Sequence, residues 1–250
     1  GNEDHLEAPS EKEKFLRLIK ETCLDKKGKL LIPAFSVGRT QEIVYILDQL
    51  EHEGRLPKIP VYVDSPLAVN ATMIFGAHPE CFDQDLNEYL LVNEDPFGFN
   101  SLTYVRDVEL SKTLNTSEDP CIIISSSGMM NAGRVKHHLA HMIDQEKNTI
   151  LIVGYCTPDT PGGILRDGGE FLRLFGEWKP VNAQIVVMDS FSAHADRLEL
   201  LEFIKHQKQT TSNIFLVHGT LEKQEPFRKM LLDYGFRSVN IPEQGQEVYL

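Results

Sequence analysis

The stretch CIIISSS, residues 121–127, joins an unbroken apolar run to three consecutive serines. A half-exposed strand alternates apolar with polar residues, whereas a β-branched run without alternation reads as a strand covered on both faces. Similar runs flank it in the chain. KLLIPAF (29–35), IPVYVDSP (59–66) and NTILIVGY (148–155) each read as a buried strand leading into a turn or polar loop. Between them lie helix-like segments. EKEKFLRLIKETCLDKKG (11–28) carries Phe15, Leu18, Ile19 and Cys23 at helical spacing, with Ser10 as the expected N-cap and Gly28 as the stop. VGRTQEIVYILDQLEHEG (37–54) places Ile43, Ile46, Leu47 and Leu50 on one face, and NAGRVKHHLAHMIDQ (131–145) forms a helix after the serine loop. Buried strands alternating with helices of this length predict an α/β fold with a parallel sheet flanked by helices.

The less periodic parts frame this core. Residues 77–118 are polar and read as helical pieces and loops near the sheet edge, and the Gly- and Pro-rich stretch 156–183 reads as a connection. A domain boundary is therefore expected near 180, giving domains 1–180 and 181–250. Beyond it, AQIVVMDSF and SNIFLVHG read as strands, ADRLELLEFIKHQ and LEKQEPFRKMLLDYG as helices, and QEVYL (246–250) as a final short strand.

At 250 residues the chain has ample material for a buried core, and no apolar run approaches the roughly 20 residues of a membrane helix. The four cysteines are widely spaced with no C-x-x-C pair, and the opening GNEDHLEAP has neither the basic nor the apolar segment of a secretory signal. Reduced thiols and a cytoplasmic location are expected. The net charge of −12 counts against nucleic-acid binding through bulk charge, although a local cationic cleft or bound metal can reverse the potential where it matters.

In open α/β sheets, ligands gather beyond the carboxyl ends of the strands. Those ends are polar here: Ser36 and Arg39 after LLIPA, Asp64 and Ser65 after VYV, Ser126, Ser127 and Gly128 after IIIS, Asp189, Ser190 and then His194 after IVVM, and His218 after IFLV. Each serine or aspartate alone is an ordinary turn or cap residue. The serine run leading through Gly128 into a helix is sharper, since successive backbone N–H groups there can hold a phosphate. No Walker lysine and no G-x-G-x-x-G accompanies it. His194 and His218, near the ends of consecutive strands, suit metal ligation or proton transfer equally with a hydrogen-bonded turn role. His137, His138 and His141 lack the intervening glutamate of H-E-x-x-H and read as a solvated or phosphate-facing side of their helix.

Taken in order, IPAFSVGRTQEIVYIL, VYVDSPLA, SSSGMMNAGR, GYCTPDTPGG, FGEWKPVNAQI, SFSAHAD and FLVHG resemble the β-CASP branch of the metallo-β-lactamase superfamily over nearly the whole chain. That family comprises endo- and exonucleases of RNA processing and decay, together with DNA-repair nucleases. The resemblance implies a β-CASP domain to about residue 180, followed by the C-terminal portion of a metallo-β-lactamase αββα domain. It further implies a zinc-dependent ribonuclease that holds two zinc ions in the complete protein and has RNA as partner; a second copy of the chain is a further candidate partner, and the lack of a long apolar run excludes a membrane span.

By motif match, His194 in SFSAHAD corresponds to the family histidine with a general-acid role, and His218 in LVHG to a zinc ligand. A histidine at the second position, as opposed to valine, is associated with RNA-directed members. Ser36, Arg39, Ser126, Ser127, Gly128 and Arg134 match substrate-binding loops, the arginines as bidentate phosphate clamps. The family's H-x-H-x-D-H zinc signature is absent from this sequence. The chain is therefore expected to hold the zinc site incompletely and to hydrolyse RNA poorly alone. Two other readings remain open: a metal-independent RNA- or phosphate-binding module, and an α/β domain for a small phosphorylated ligand.

Overall fold

Four-residue strands whose every side chain is covered set the architecture. In the computed structural model, which describes residues 8–188, 195 and 197–248, strand β1 (Leu30–Pro33), β2 (Val61–Asp64), β3 (Leu102–Tyr104), β4 (Ile122–Ser125), β5 (Thr149–Ile152) and β8 (Gln184–Val187) form one six-stranded sheet. Its order is β3-β2-β4-β1-β5-β8, and every pairing is parallel. β4 lies centrally between β2 and β1, in register Asp64↔Ser125 and Pro33↔Ser125. The carboxyl ends of three strands are thereby brought side by side.

The period of two along each strand divides the core into two layers. Leu30, Ile32, Val61, Val63, Ile122 and Ile124 face one side, packed with Phe15 and Ile19 of α1 (Ala8–Ile19) and Ile43, Val44 and Leu47 of α2 (Arg39–His52). Leu31, Ile123, Ile150 and Ile152 face the other, packed with Leu114 of α5 (Val108–Thr116) and Val135, Leu139 and Met142 of α6 (Arg134–Met142). Helices α3 (Pro66–Ala77), α4 (Gln84–Tyr89) and α7 (Pro161–Arg166) complete this unit, with an antiparallel hairpin of β6 (Phe171–Leu174) and β7 (Glu177–Pro180). The expected α/β fold with a parallel sheet flanked by helices is the one observed.

Several local expectations differ. Ser10 is not an N-cap, because α1 already runs from Ala8; Pro9 sits in its first turn, where a missing N–H costs nothing. The helix then continues through a wider π-type turn, Lys20–Asp25. Gly28 does end it. A Cβ there would stand 1.7 Å from the Lys147 carbonyl oxygen, so only glycine lets the two backbones pass. Within 77–118 lies an edge strand, β3, and within 156–183 the β6–β7 hairpin.

The described residues fall into two compact units, 8–188 and 195 with 197–248. The second contains α8 (Arg197–Ile204), β9 (Ile214–Phe215), α9 (Leu221–Tyr234) and β10 (Val239–Asn240), with β9 and β10 parallel. Phe227, Leu231, Phe236 and Val239 form its core. Among the described residues the final strand is Val239–Asn240; of the expected strand QEVYL, residues 246–248 carry none and 249–250 lie outside the described residues. No described helix is long and apolar enough to cross a membrane. Cys23, Cys81, Cys121 and Cys156 are free thiols, and burial pushes Cys23 up to about 12 and Cys121 up to about 11, which keeps both unreactive near neutral pH.

Ile123 is fully buried at the centre of β4. Ile123→Ala is expected to lower unfolding stability by about 2–5 kcal/mol, seen as a lower urea midpoint at unchanged slope.

Candidate nucleic-acid interface

The parallel register places the loops after β1, β2 and β4 in contact. Ser36 Oγ donates to Ser126 Oγ at 2.8 Å and shares a 3.1 Å hydrogen bond with Ser65 Oγ. Ser65 also caps α3, accepting from the Ala68 N–H at 3.3 Å, with Pro66 at the first helical position. Ser36 and Ser126 are half-buried and Ser65 is buried. Among the described residues no imidazole or carboxylate takes a hydrogen bond from these three hydroxyls, so nothing activates one as a nucleophile. A cluster of hydroxyls at a strand edge is instead suited to donate to the oxygens of an anion.

The loop after β1 is held from α2. Gln41, buried, accepts from the Gly38 N–H at 2.7 Å and donates to the Ser36 carbonyl at 3.2 Å and to Thr72 Oγ1 at 2.8 Å. Thr40 Oγ1 donates to the Phe35 carbonyl at 2.7 Å. Arg39, at the start of α2, is ion-paired with Glu42 one turn on. The loop after β4 closes on itself, Ser127 N–H bonding the Ala132 carbonyl at 3.1 Å and Ser127 Oγ donating to Asn131 Oδ1 at 2.8 Å. Gly128 packs beneath the Phe35 ring, where a Cβ would lie 3.3 Å from the nearest ring carbon. Gly133 has φ +83°, and a Cβ on it would stand 2.2 Å from the Ser126 carbonyl oxygen.

Beneath these loops lies a buried ionic network that the sequence reading missed. Asp64, at the end of β2, is fully buried and accepts from Ser111 Oγ at 2.5 Å, Arg134 at 2.6 Å through Oδ1, and His138 Nε2 at 2.6 Å through Oδ2. Burial by itself would raise the Asp64 carboxyl; the hydrogen bonds from His138, Ser111 and Arg134 outweigh it and hold the carboxyl below its ordinary range. Arg134 continues to the carbonyls of Val105 at 3.2 Å and Arg106 at 2.8 Å, tying α6 to the end of β3. His138 is not solvated, as its helix position seemed to imply. It is fully buried, with Nδ1 2.7 Å from Asn115 Oδ1. The signal was available: His138 falls between Val135, Leu139 and Met142 on the inward period of α6. His137 and His141 are exposed.

The expected site residues Ser36, Arg39, Ser126, Ser127, Gly128 and Arg134 thus all lie at the carboxyl edge of the six-stranded sheet, with Ser36 and Ser126 in direct contact. Arg134 reaches that edge with its guanidinium engaged on Asp64 and two carbonyls. His218 belongs to the second unit, exposed after β9 in the left-handed region at φ +66°, its carbonyl accepting from Gln224 Nε2 at 3.0 Å. His194 lies outside the described residues.

The family to which a parallel sheet with this serine edge belongs is given by its sequence relatives. Residues 40–165 match the Beta-Casp domain family, and residues 178–242 match the family described as a Zn-dependent metallo-hydrolase RNA specificity domain. The chain belongs to the β-CASP branch of the metallo-β-lactamase superfamily. It is similar to a ribonuclease of Thermus thermophilus, 32% identical over 99% of this chain and 56% of the relative. It is also similar to transcription termination factor FttA of Methanosarcina mazei, 31% identical over 83% of this chain and 33% of the relative, and to the FttA of Methanocaldococcus jannaschii, 33% identical over the same shares. The chain therefore spans about half the length of the first relative and about a third of the other two.

Two outcomes test this geometry. Asp64→Asn removes the charge that Arg134 and His138 face and is expected to cost about 3–5 kcal/mol near neutral pH. Because the folded carboxyl sits below its unfolded value, its contribution is complete above about pH 4 and is lost as pH falls through the folded value. Urea melts of both proteins should show the gap closing on acidification below that point. Gly133→Ala should cost more than about 1 kcal/mol, through φ and the Ser126 carbonyl together, by the same measurement.

Proposed function

We propose that this chain is the RNA-facing portion of a zinc-dependent ribonuclease of RNA processing or decay. The observation that carries the reading is the serine cluster: Ser36 and Ser126 hydroxyls 2.8 Å apart at the carboxyl edge of a parallel sheet, with Ser127, Gly128 and the Arg39 and Arg134 side chains at the same edge. Hydroxyls at this edge orient the backbone phosphates of RNA; Arg39 can exchange its Glu42 partner for a phosphate, while Arg134, held on Asp64, positions the loop that carries Ser126 and Ser127. The relatives, a ribonuclease and a transcription termination factor, and the RNA specificity domain family that residues 178–242 match point the same way.

His194, by its place in SFSAHAD, is the proton donor to the leaving 3′ oxygen, and His218 is a zinc ligand. When bound, zinc polarises the phosphate and activates water. Among the described residues, however, no three His, Cys, Asp or Glu side chains converge to hold a metal, so those residues alone do not fit a two-zinc centre. RNA binding by the sheet edge needs no metal. The chain by itself is accordingly proposed to bind RNA but not to cleave it. Tight uptake of two zinc ions by this chain, measured by titration, would contradict that.

Fluorescence anisotropy of a labelled single-stranded RNA in the presence of chelator tests the reading. The chain should bind, and Ser126→Ala and Arg39→Ala should each weaken binding by about tenfold, the loss of one hydrogen bond to a charged group. Affinity unchanged in both variants would contradict the assignment of this edge to RNA.

A further inference from the structure

The β6–β7 hairpin has one covered face and one bare one. Leu172 and Leu174 point into the core, each 1% exposed, and fix the hairpin to the sheet unit. Phe171 and Trp178 alternate to the other face, 57% and 69% exposed. In the antiparallel register Arg173 lies directly opposite Trp178, and Phe171 opposite Pro180, so the bare face carries Phe171, Arg173 and Trp178 as near neighbours. The tip is anchored as well. Phe175, at φ +51°, stacks its ring 4.7 Å from the His137 imidazole, with Lys136 Nζ 5.0 Å from the ring centre.

The charge on the bare face is uncommitted. Arg173 makes one hydrogen bond among the described residues, Nε to the Gly176 carbonyl at 3.4 Å, and no ion pair. Its neighbour Lys179 alternates to the opposite face and is paired with Asp144 at 3.1 Å. Glu177 also alternates away from Trp178. Two exposed aromatic rings beside an unpaired guanidinium, on a hairpin held rigid from below and at its tip, match what binds unpaired nucleotides: bases stack on the rings and a phosphate sits on the cation.

We propose that the Phe171–Arg173–Trp178 face is a stacking platform for single-stranded RNA, a contact separate from the serine edge. It rests on the reading of the chain as RNA-directed, and the match to the RNA specificity family begins at Trp178 itself. A stacking platform takes any base and refuses a duplex, whose bases are already stacked. The platform therefore adds affinity and a preference for unpaired RNA without sequence preference.

Trp178 is the sole tryptophan of the chain, so its emission reports this face alone. The experiment follows tryptophan emission and RNA anisotropy together while single-stranded RNA, or the same sequence as duplex, is added. Saturable quenching by the single strand and none by the duplex is expected. Trp178→Phe should keep the affinity, Trp178→Ala should lower it at least about fivefold, and Arg173→Ala should lower it and flatten its salt dependence. Binding seen by anisotropy with unchanged emission, or with Trp178→Ala unaffected, would overturn the platform while leaving the serine edge standing. Emission that responds to chain concentration and not to RNA would assign the face to a second copy of the chain, and equally overturn the proposal. Absence of any RNA binding would instead remove the RNA-directed reading and the platform together.

Discussion

The carboxylate of Asp64 ties the sheet to its loops. It stands fully buried at the end of β2 and receives hydrogen bonds from α5 through Ser111 and from α6 through Arg134 and His138. A lone buried carboxylate would be costly. With three donors it stays ionised, and the donors' own reach extends the effect: Arg134 onward to the carbonyls after β3, His138 onward to Asn115. Arg134 opens the helix that follows the serine loop, so the network fixes where that loop ends. Ser125 fixes where it begins, by donating to the Asp64 carbonyl at 2.8 Å. One residue thus sets both ends of the segment that carries Ser126, Ser127 and Gly128.

The sheet register supplies the rest. Because β4 lies between β2 and β1 and all three are parallel, their carboxyl ends form a continuous edge where Ser36, Ser65 and Ser126 meet. Residues 90 positions apart in sequence become hydrogen-bond partners through strand order alone. Among the described residues no base stands beside any of the edge's hydroxyls, which fits a surface that orients a substrate.

Much of this was legible in the sequence because central parallel strands, covered on both faces, leave unbroken runs such as CIIIS and LLIP. Edge elements leave no such trace. β3 is a three-residue strand with an exposed middle residue, and the hairpin around Phe175–Gly176 alternates Leu with Phe and Arg, so neither stood out from a loop. Val239–Asn240 is a strand only because it pairs with Ile214–Phe215, a tertiary event that two residues cannot announce. The serine edge was visible as a list of polar strand ends. Its backing was not, since Asp64 reads as a turn residue and His138 as one of three helix histidines until the inward period of α6 is weighed.

RNA occupying the carboxyl edge of the six-stranded sheet is the central expectation. Backbone amide chemical shifts of the isotope-labelled chain, followed as a short single-stranded RNA is added, observe this directly. The prediction is that the Ser36, Ser126, Ser127 and Gly128 signals move together along one saturating curve. RNA binding with those four signals unmoved would contradict it.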